Sequence, residues 1–179
     1  MVTKNMNQKR KKTPDVQPIN LTVNGRVFDL SQGNRPGEIE PFHTLSHTLR
    51  ETLGLTGTKE ICNKGDCGGC TVIMDGKPTL SCLTLAVEAQ GKDILTIEGL
   101  ADGFKPHPIQ QAFVDKGAVQ CGYCTPGFIM SAKALLDKNP KPTEAEIKEG
   151  IANNICRCTG YVQIVEAIQA AAKVMGGTK

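Results

Sequence analysis

The chain has 179 residues, of which 39% are hydrophobic, 22% charged and 4% aromatic, with no Trp. That suffices for one domain or two small ones, but not for a large aromatic core, so a staple such as a metal site or disulfides is expected among its eight Cys. The formal net charge of +3 misleads: Lys4, Lys9, Arg10, Lys11 and Lys12 precede any apolar run, the rest carries 16 basic against 18 acidic residues, and a basic nucleic-acid-binding face is disfavoured.

Residues 1–17 read as a disordered, polar and basic tail. No stretch approaches the ~18 apolar residues of a membrane span, and residues 13–20 hold no apolar signal-peptide core. A cytoplasmic location is therefore expected, where Cys residues bind metal more readily than they pair as disulfides. Residues 19–23 alternate and end at Asn24-Gly25, a strong two-residue hairpin signal, so residues 26–30 become the return strand. Leu45, Leu49 and Leu53 recur every four residues, which predicts a helix over 43–53 stopped by Gly54. After a Cys- and Gly-rich loop over 57–70, residues 71–74 and a run from residue 77 onward flank Asp75-Gly76 as a second hairpin. A further short strand is expected over 94–97. This half reads as a small α+β domain.

From residue 100 the period becomes helical. Helices are expected over 108–116, with Pro108 at the start, and over 128–138, ended by Asn139-Pro140. Thr143-x-x-Glu146 signals the capping box of a third. A fourth, over 161–175, carries Ile164, Ile168 and Ala171 on one face. Four helices suggest a compact bundle, and no long linker divides the halves. His43, His47 and His107 show no metal spacing, so surface or capping roles are expected. Met74, Met130 and Met175 read as core filler, and Tyr123 and Tyr161 as core or shielding residues beside the cysteines.

The eight Cys form two groups of four. Cys62-x4-Cys67-x2-Cys70, with Cys82 from the adjacent strand after eleven intervening residues, is the plant-type [2Fe–2S] spacing. Gly65, Gly68 and Gly69 allow the tight turns such a loop needs, and zinc sites more often use two separated knuckles. Cys121-x2-Cys124 with Cys156-x-Cys158 is less specific: spacing leaves zinc and iron–sulfur open. Predicted helix starts beside both pairs favour an anionic partner, which fits either metal.

Three segments in order, GTKEICNKGDCGGCT over 57–71, VQCGYCTPG over 119–127 and NICRCTGY over 154–161, resemble the iron–sulfur subunit of the xanthine dehydrogenase, aldehyde oxidase and carbon monoxide dehydrogenase family of molybdenum hydroxylases. The likeness runs from about residue 19 to 175, with HPIQQAF over 107–113 between the motifs. It implies a ferredoxin-like β-grasp domain over 18–99 followed by a four-helix bundle over 100–179. It further implies an outer cluster on Cys62, Cys67, Cys70 and Cys82, and an inner cluster on Cys121, Cys124, Cys156 and Cys158. Gln120 and Cys158 would lie against the pterin of a molybdenum cofactor. The implied partners are a large molybdenum-binding subunit and a medium FAD-binding subunit, in a dimer of heterotrimers.

One departure is Ile61, where the family usually has Gly before the first cluster Cys. A β-branched residue disfavours positive φ, so the loop is expected to turn elsewhere. The chain shows no nucleophile–base set, phosphate-cradling loop or dinucleotide fingerprint, so it has no substrate chemistry of its own. Its expected role is electron relay between a molybdenum site and a flavin or other acceptor. The alternatives are a free-standing two-cluster ferredoxin and a zinc-stapled interaction module.

Overall fold

The computed structural model describes residues 18–35 and 38–176; the predicted basic tail lies outside them. Its first half is a five-stranded sheet in the order β2-β1-β5-β3-β4. The strands are β1 (Ile19–Val23), β2 (Arg26–Leu30), β3 (Thr71–Met74), β4 (Lys77–Leu80) and β5 (Asp93–Leu95). Both hairpins form where two successive residues reach positive φ, Asn24-Gly25 at 52° and 72° and Asp75-Gly76 at 49° and 75°. β5 then enters the centre, parallel to β1 and antiparallel to β3.

Successive side chains on a strand face opposite ways, and both faces of this sheet are covered. Leu21, Val23 and Val72 pack with Leu45 and Leu49 of the segment that opens with helix α1 (Leu45–His47). Ile73 packs instead on Met130 and Ala134 of helix α3 (Thr125–Lys138), the core that joins the halves. Three elements differ from expectation. The segment over 43–53 is a single α-turn that widens into a π-helical turn, Thr48–Thr52. The strand expected at 94–97 is β5, which starts one residue earlier and ends two residues earlier. Cys82 sits in a 3₁₀ turn, Ser81–Leu83, directly after β4 rather than in a strand.

The second half packs α2 (Pro108–Asp115), α3, α4 (Glu144–Gly150) and α5 (Val162–Gly176) around Phe113, Phe128, Ile147, Ile164 and Ile168. α3 begins three residues before the expected start, because Pro126 is accepted in a first turn, where its missing N–H costs nothing. Thr143 and Glu146 form the expected capping box. No helix among the described residues is long and apolar enough to cross a membrane.

His107 caps α2: its Nδ1 accepts from Ile109 N at 3.3 Å, while Gln110 Oε1 accepts from His107 N at 2.8 Å. Burial, with Lys133 nearby, lowers its pKa. The unfolded chain therefore takes up this proton more readily. The cap's contribution is complete above about pH 6.5, the ordinary imidazole value, and is lost as pH falls through the lower folded value. Between pH 7.5 and 5 the thermal midpoint should drop less in His107→Asn, which keeps a capping acceptor without a titrating group. Equal drops in both proteins would remove His107 from the acid response.

Candidate metal centres

Three cysteines of the first group, Cys62, Cys67 and Cys70, lie on a loop pinned at both ends, and Cys82 reaches them from the turn after β4. Arg50 Nη1 donates to Thr56 O and Thr58 O at 2.9 and 2.8 Å, and Ser46 Oγ donates to Glu60 Oε1 at 2.6 Å. At the far end Thr71 Oγ1 donates to Gly68 O at 2.7 Å and Ser81 Oγ to Cys70 O at 2.6 Å. Positive φ falls at Asn63, Gly65 and Gly68, not at Ile61. Ile61 instead packs over Gly69, where a Cβ would stand 2.4 Å from Ile61 Cδ1. The loop thus turns two residues later than a Gly at 61 would allow.

Its sulfurs associate in pairs: Cys62 with Cys67, both half-buried, and Cys70 with Cys82, both buried. Backbone amides, that of Lys64 first and then those of Cys67 and Asp66, bring the Cys62 thiol down to about 6. Burial pushes Cys70 up to about 12. Amides aimed at a sulfur that prefers to be a thiolate form a cradle for an anionic, thiolate-held group.

The second group joins two separate loops. Cys124 is the N-cap of α3, with Cys121 just before it; Cys156 and Cys158 lie between α4 and α5. Cys158 Sγ stands 3.6 Å from Cys121 Sγ, and Cys124 pairs with Cys156. Each pair therefore takes one cysteine from each motif. Cys121 and Cys158 are exposed, Cys124 half-buried and Cys156 buried. Burial pushes Cys124 up to about 12. At Cys156 burial also acts upward, but the Thr159 hydroxyl and amide outweigh it and the thiol is lowered. Gln120 is exposed directly before Cys121.

Of the two roles expected for the tyrosines, core or shielding, neither residue takes the core one. Tyr123 is exposed with Lys59 Nζ 5.9 Å from its ring centre. Tyr161, at φ 71°, sets its ring edge against Phe128 and accepts from Cys156 N at 2.9 Å. It braces the loop.

The two cysteine loops touch. Ile155 N donates to Cys67 O at 3.0 Å, and the buried Asn154 donates through Nδ2 to Gly68 O at 3.0 Å. The contact is backbone-close, since a Cβ on Gly127 would stand 2.3 Å from Gly68 O. Asn154 and Thr159 were not legible as functional residues. Each acts through a contact that folding creates, and no spacing rule marks either.

Among the described residues, no three His, Cys, Asp or Glu side chains converge on one metal-ion position. The sulfurs come two by two instead. Two thiolates on one tetrahedral metal, each at ~2.3 Å, stand about 3.8 Å apart, close to the 3.6 Å between Cys121 and Cys158. Two separate pairs suit a binuclear group better than a single zinc ion. Four thiolates, directed amides and close-packed glycines are what a [2Fe–2S] cluster requires of its holder.

Comparison with known proteins agrees with this chemistry. Residues 96–169 match the [2Fe-2S] binding domain family. The chain is 49% identical to the nicotinate dehydrogenase small FeS subunit of Eubacterium barkeri over 86% of its length and 93% of the relative's. It is 48% identical to the xanthine dehydrogenase iron-sulfur-binding subunit of Escherichia coli O157:H7, over 84% and 91%. Among solved structures, quinoline 2-oxidoreductase from Pseudomonas putida 86 superposes at a TM-score of 0.80 with 44% identity, covering 89% of this chain and 95% of that one. The chain belongs to the family of small [2Fe–2S] iron–sulfur subunits of the molybdenum hydroxylases.

Proposed function

We propose that the chain relays electrons between a molybdenum-pterin site in a large catalytic subunit and a flavin subunit or other acceptor. In this reading Cys62, Cys67, Cys70 and Cys82 hold an outer cluster in a ferredoxin-like β-grasp domain over 18–99. Cys121, Cys124, Cys156 and Cys158 hold an inner cluster in a four-helix domain over 100–179. Each cluster, when bound, supplies one-electron transfer with no atom or group exchanged. The chain's own residues fix how the two centres face each other.

The observation that carries this reading is the hydrogen bond from Ile155 N to Cys67 O at 3.0 Å. It joins a ligand of one group to the residue before a ligand of the other. A free-standing two-cluster carrier would share that junction; the coverage of small-subunit relatives over nine-tenths of their length is what favours a place in a larger enzyme.

The exposed pair Cys121 and Cys158 is bordered by exposed Val119, Tyr123 and Ile155. Apolar side chains around exposed ligands suit burial against a partner, here the large subunit, with Gln120 and Cys158 against the pterin. A medium FAD-binding subunit on the side of the first group, a dimer of heterotrimers and a cytoplasmic location complete the proposal. An assay of metal content in the protein purified untagged from its source tests it. About four irons and one molybdenum per copy of this chain, with larger partners co-eluting, are expected. About two irons plus one zinc would overturn the second ligand set. Iron without molybdenum or partner would point to an independent carrier.

A further inference from the structure

Cys156 Sγ accepts a hydrogen bond from the Thr159 hydroxyl at 3.1 Å and a longer one from Thr159 N at 3.4 Å. Among the described residues no other cysteine sulfur receives a hydroxyl. Cys62 is served by backbone amides and by Cys67. The Thr159 hydroxyl is also held in one orientation. Its oxygen accepts from Tyr161 N at 3.3 Å, which leaves its proton for the sulfur. Tyr161 in turn accepts from Cys156 N through its phenol oxygen and rests on the buried Phe128. The turn from Cys156 to Tyr161 is thus closed at both ends.

We infer that Thr159 is a positioning residue that raises the reduction potential of the cluster held by Cys121, Cys124, Cys156 and Cys158. The inference rests on the ligand assignment proposed above. Reduction adds one electron to a diferric pair and leaves one iron ferrous; no bond breaks and no proton moves. The added negative charge spreads onto the ligand sulfurs. A donor already aimed at one of them therefore stabilises the reduced state more than the oxidised one. Hydrogen bonds to sulfur are one of the terms by which a protein sets such potentials. The site also suits a relay. Cys156 follows Ile155, whose N–H reaches Cys67 O, so the donor acts on the side of the second group that leads to the first.

The test is a redox titration of the holoenzyme, with dithionite as reductant and mediators present, followed by the resonance signals of the two reduced clusters. Thr159→Val should make the inner cluster about tenfold harder to reduce, which is about 59 mV for a one-electron couple, and leave the outer cluster unmoved. Thr159→Ser should restore the potential. An unshifted inner potential in the valine variant overturns the inference. Should that variant lose iron, Thr159→Ala, which adds no apolar bulk, is read by the same two outcomes. Loss of iron from both overturns the inference in favour of a purely structural role. Failure of the ligand assignment reads differently: the unaltered enzyme would then hold about two irons and give one reduced-cluster signal.

Discussion

Alanine in place of Cys124 should halve the iron of the purified enzyme, from about four to about two atoms per chain. The outer cluster's signal should survive, and substrate-driven reduction of the acceptor should fall by at least about 100-fold. The size of the effect follows from where Cys124 stands. It is the N-cap residue of α3, paired with Cys156 on the inward side of the second group, while Cys121 and Cys158 are exposed. Its loss leaves the Cys156 sulfur, already favoured as a thiolate by Thr159, without the sulfur it pairs with. A binuclear group deprived of one of four thiolates has no substitute nearby, since no acidic or histidine side chain among the described residues joins the cysteines there. Cys62→Ala gives the reciprocal result, loss of the outer cluster with the inner retained. Unchanged iron in Cys124→Ala would break the assignment of the second group, whereas loss of all four irons would show that the two sites load as one unit.

That experiment is needed because the spacing of the second group left its metal open and only the family resemblance assigned it, although much around it was readable. Asn24-Gly25 and Asp75-Gly76 were readable as turns because positive φ at two consecutive positions demands such residues. Thr143 and Glu146 were readable because capping is local. Sheet order was not, since β5 pairs with β1 across some seventy residues and no local pattern announces a parallel partner. The segment over 43–53 shows a limit of periodicity. Leu45 and Leu49 are buried as their spacing predicts, yet a π-helical turn rather than an α-helix carries Leu49. Both structures put residues four apart on the same side, so the apolar pattern cannot separate them.

The cysteines divide in the same way. Three of the first group, Cys62, Cys67 and Cys70, share one loop, so their spacing is their geometry, and Cys82 joins them across the β3–β4 hairpin. The second is assembled from two loops more than thirty residues apart, and the pairing of Cys121 with Cys158 and Cys124 with Cys156 exists only after α3, α4 and α5 have packed. Ile61 illustrates how a local rule can be right without being complete. Its β-branch does keep it out of positive φ, and the loop moves that conformation to Asn63, Gly65 and Gly68. The use of its side chain, as a cover for Gly69, depends on the close approach recorded there.

The junction between the halves supplies the second large effect, and a helix glycine reveals it. Gly127→Ala should lower stability by about 3 kcal/mol, at the upper end of what overpacking usually costs, and should loosen both cysteine loops. Alanine in a helix ordinarily helps by up to ~1 kcal/mol relative to glycine, so the sign here comes from the surroundings. A Cβ at 127 would stand 2.3 Å from Gly68 O and 3.1 Å from Gly69 Cα. Both are backbone atoms of the first cysteine loop, held by Thr71 and Asn154, and neither can swing aside as a side chain does. Relief requires the loop to move off α3, which pulls Cys67 O from Ile155 N and separates the two groups. Gly150→Ala is the control. The three atoms nearest its Cβ would all belong to the Leu135 side chain, the first at 2.9 Å, which can adjust, so its thermal midpoint should stay near that of the unaltered protein. Thermal unfolding and iron retention of the two variants, measured together, decide the point. If Gly127→Ala is as stable as Gly150→Ala and keeps its iron, the backbone contact at Gly68 does not hold the halves together. If it loses stability and the outer cluster in step, helix α3 is what keeps the first cysteine loop in register with the second.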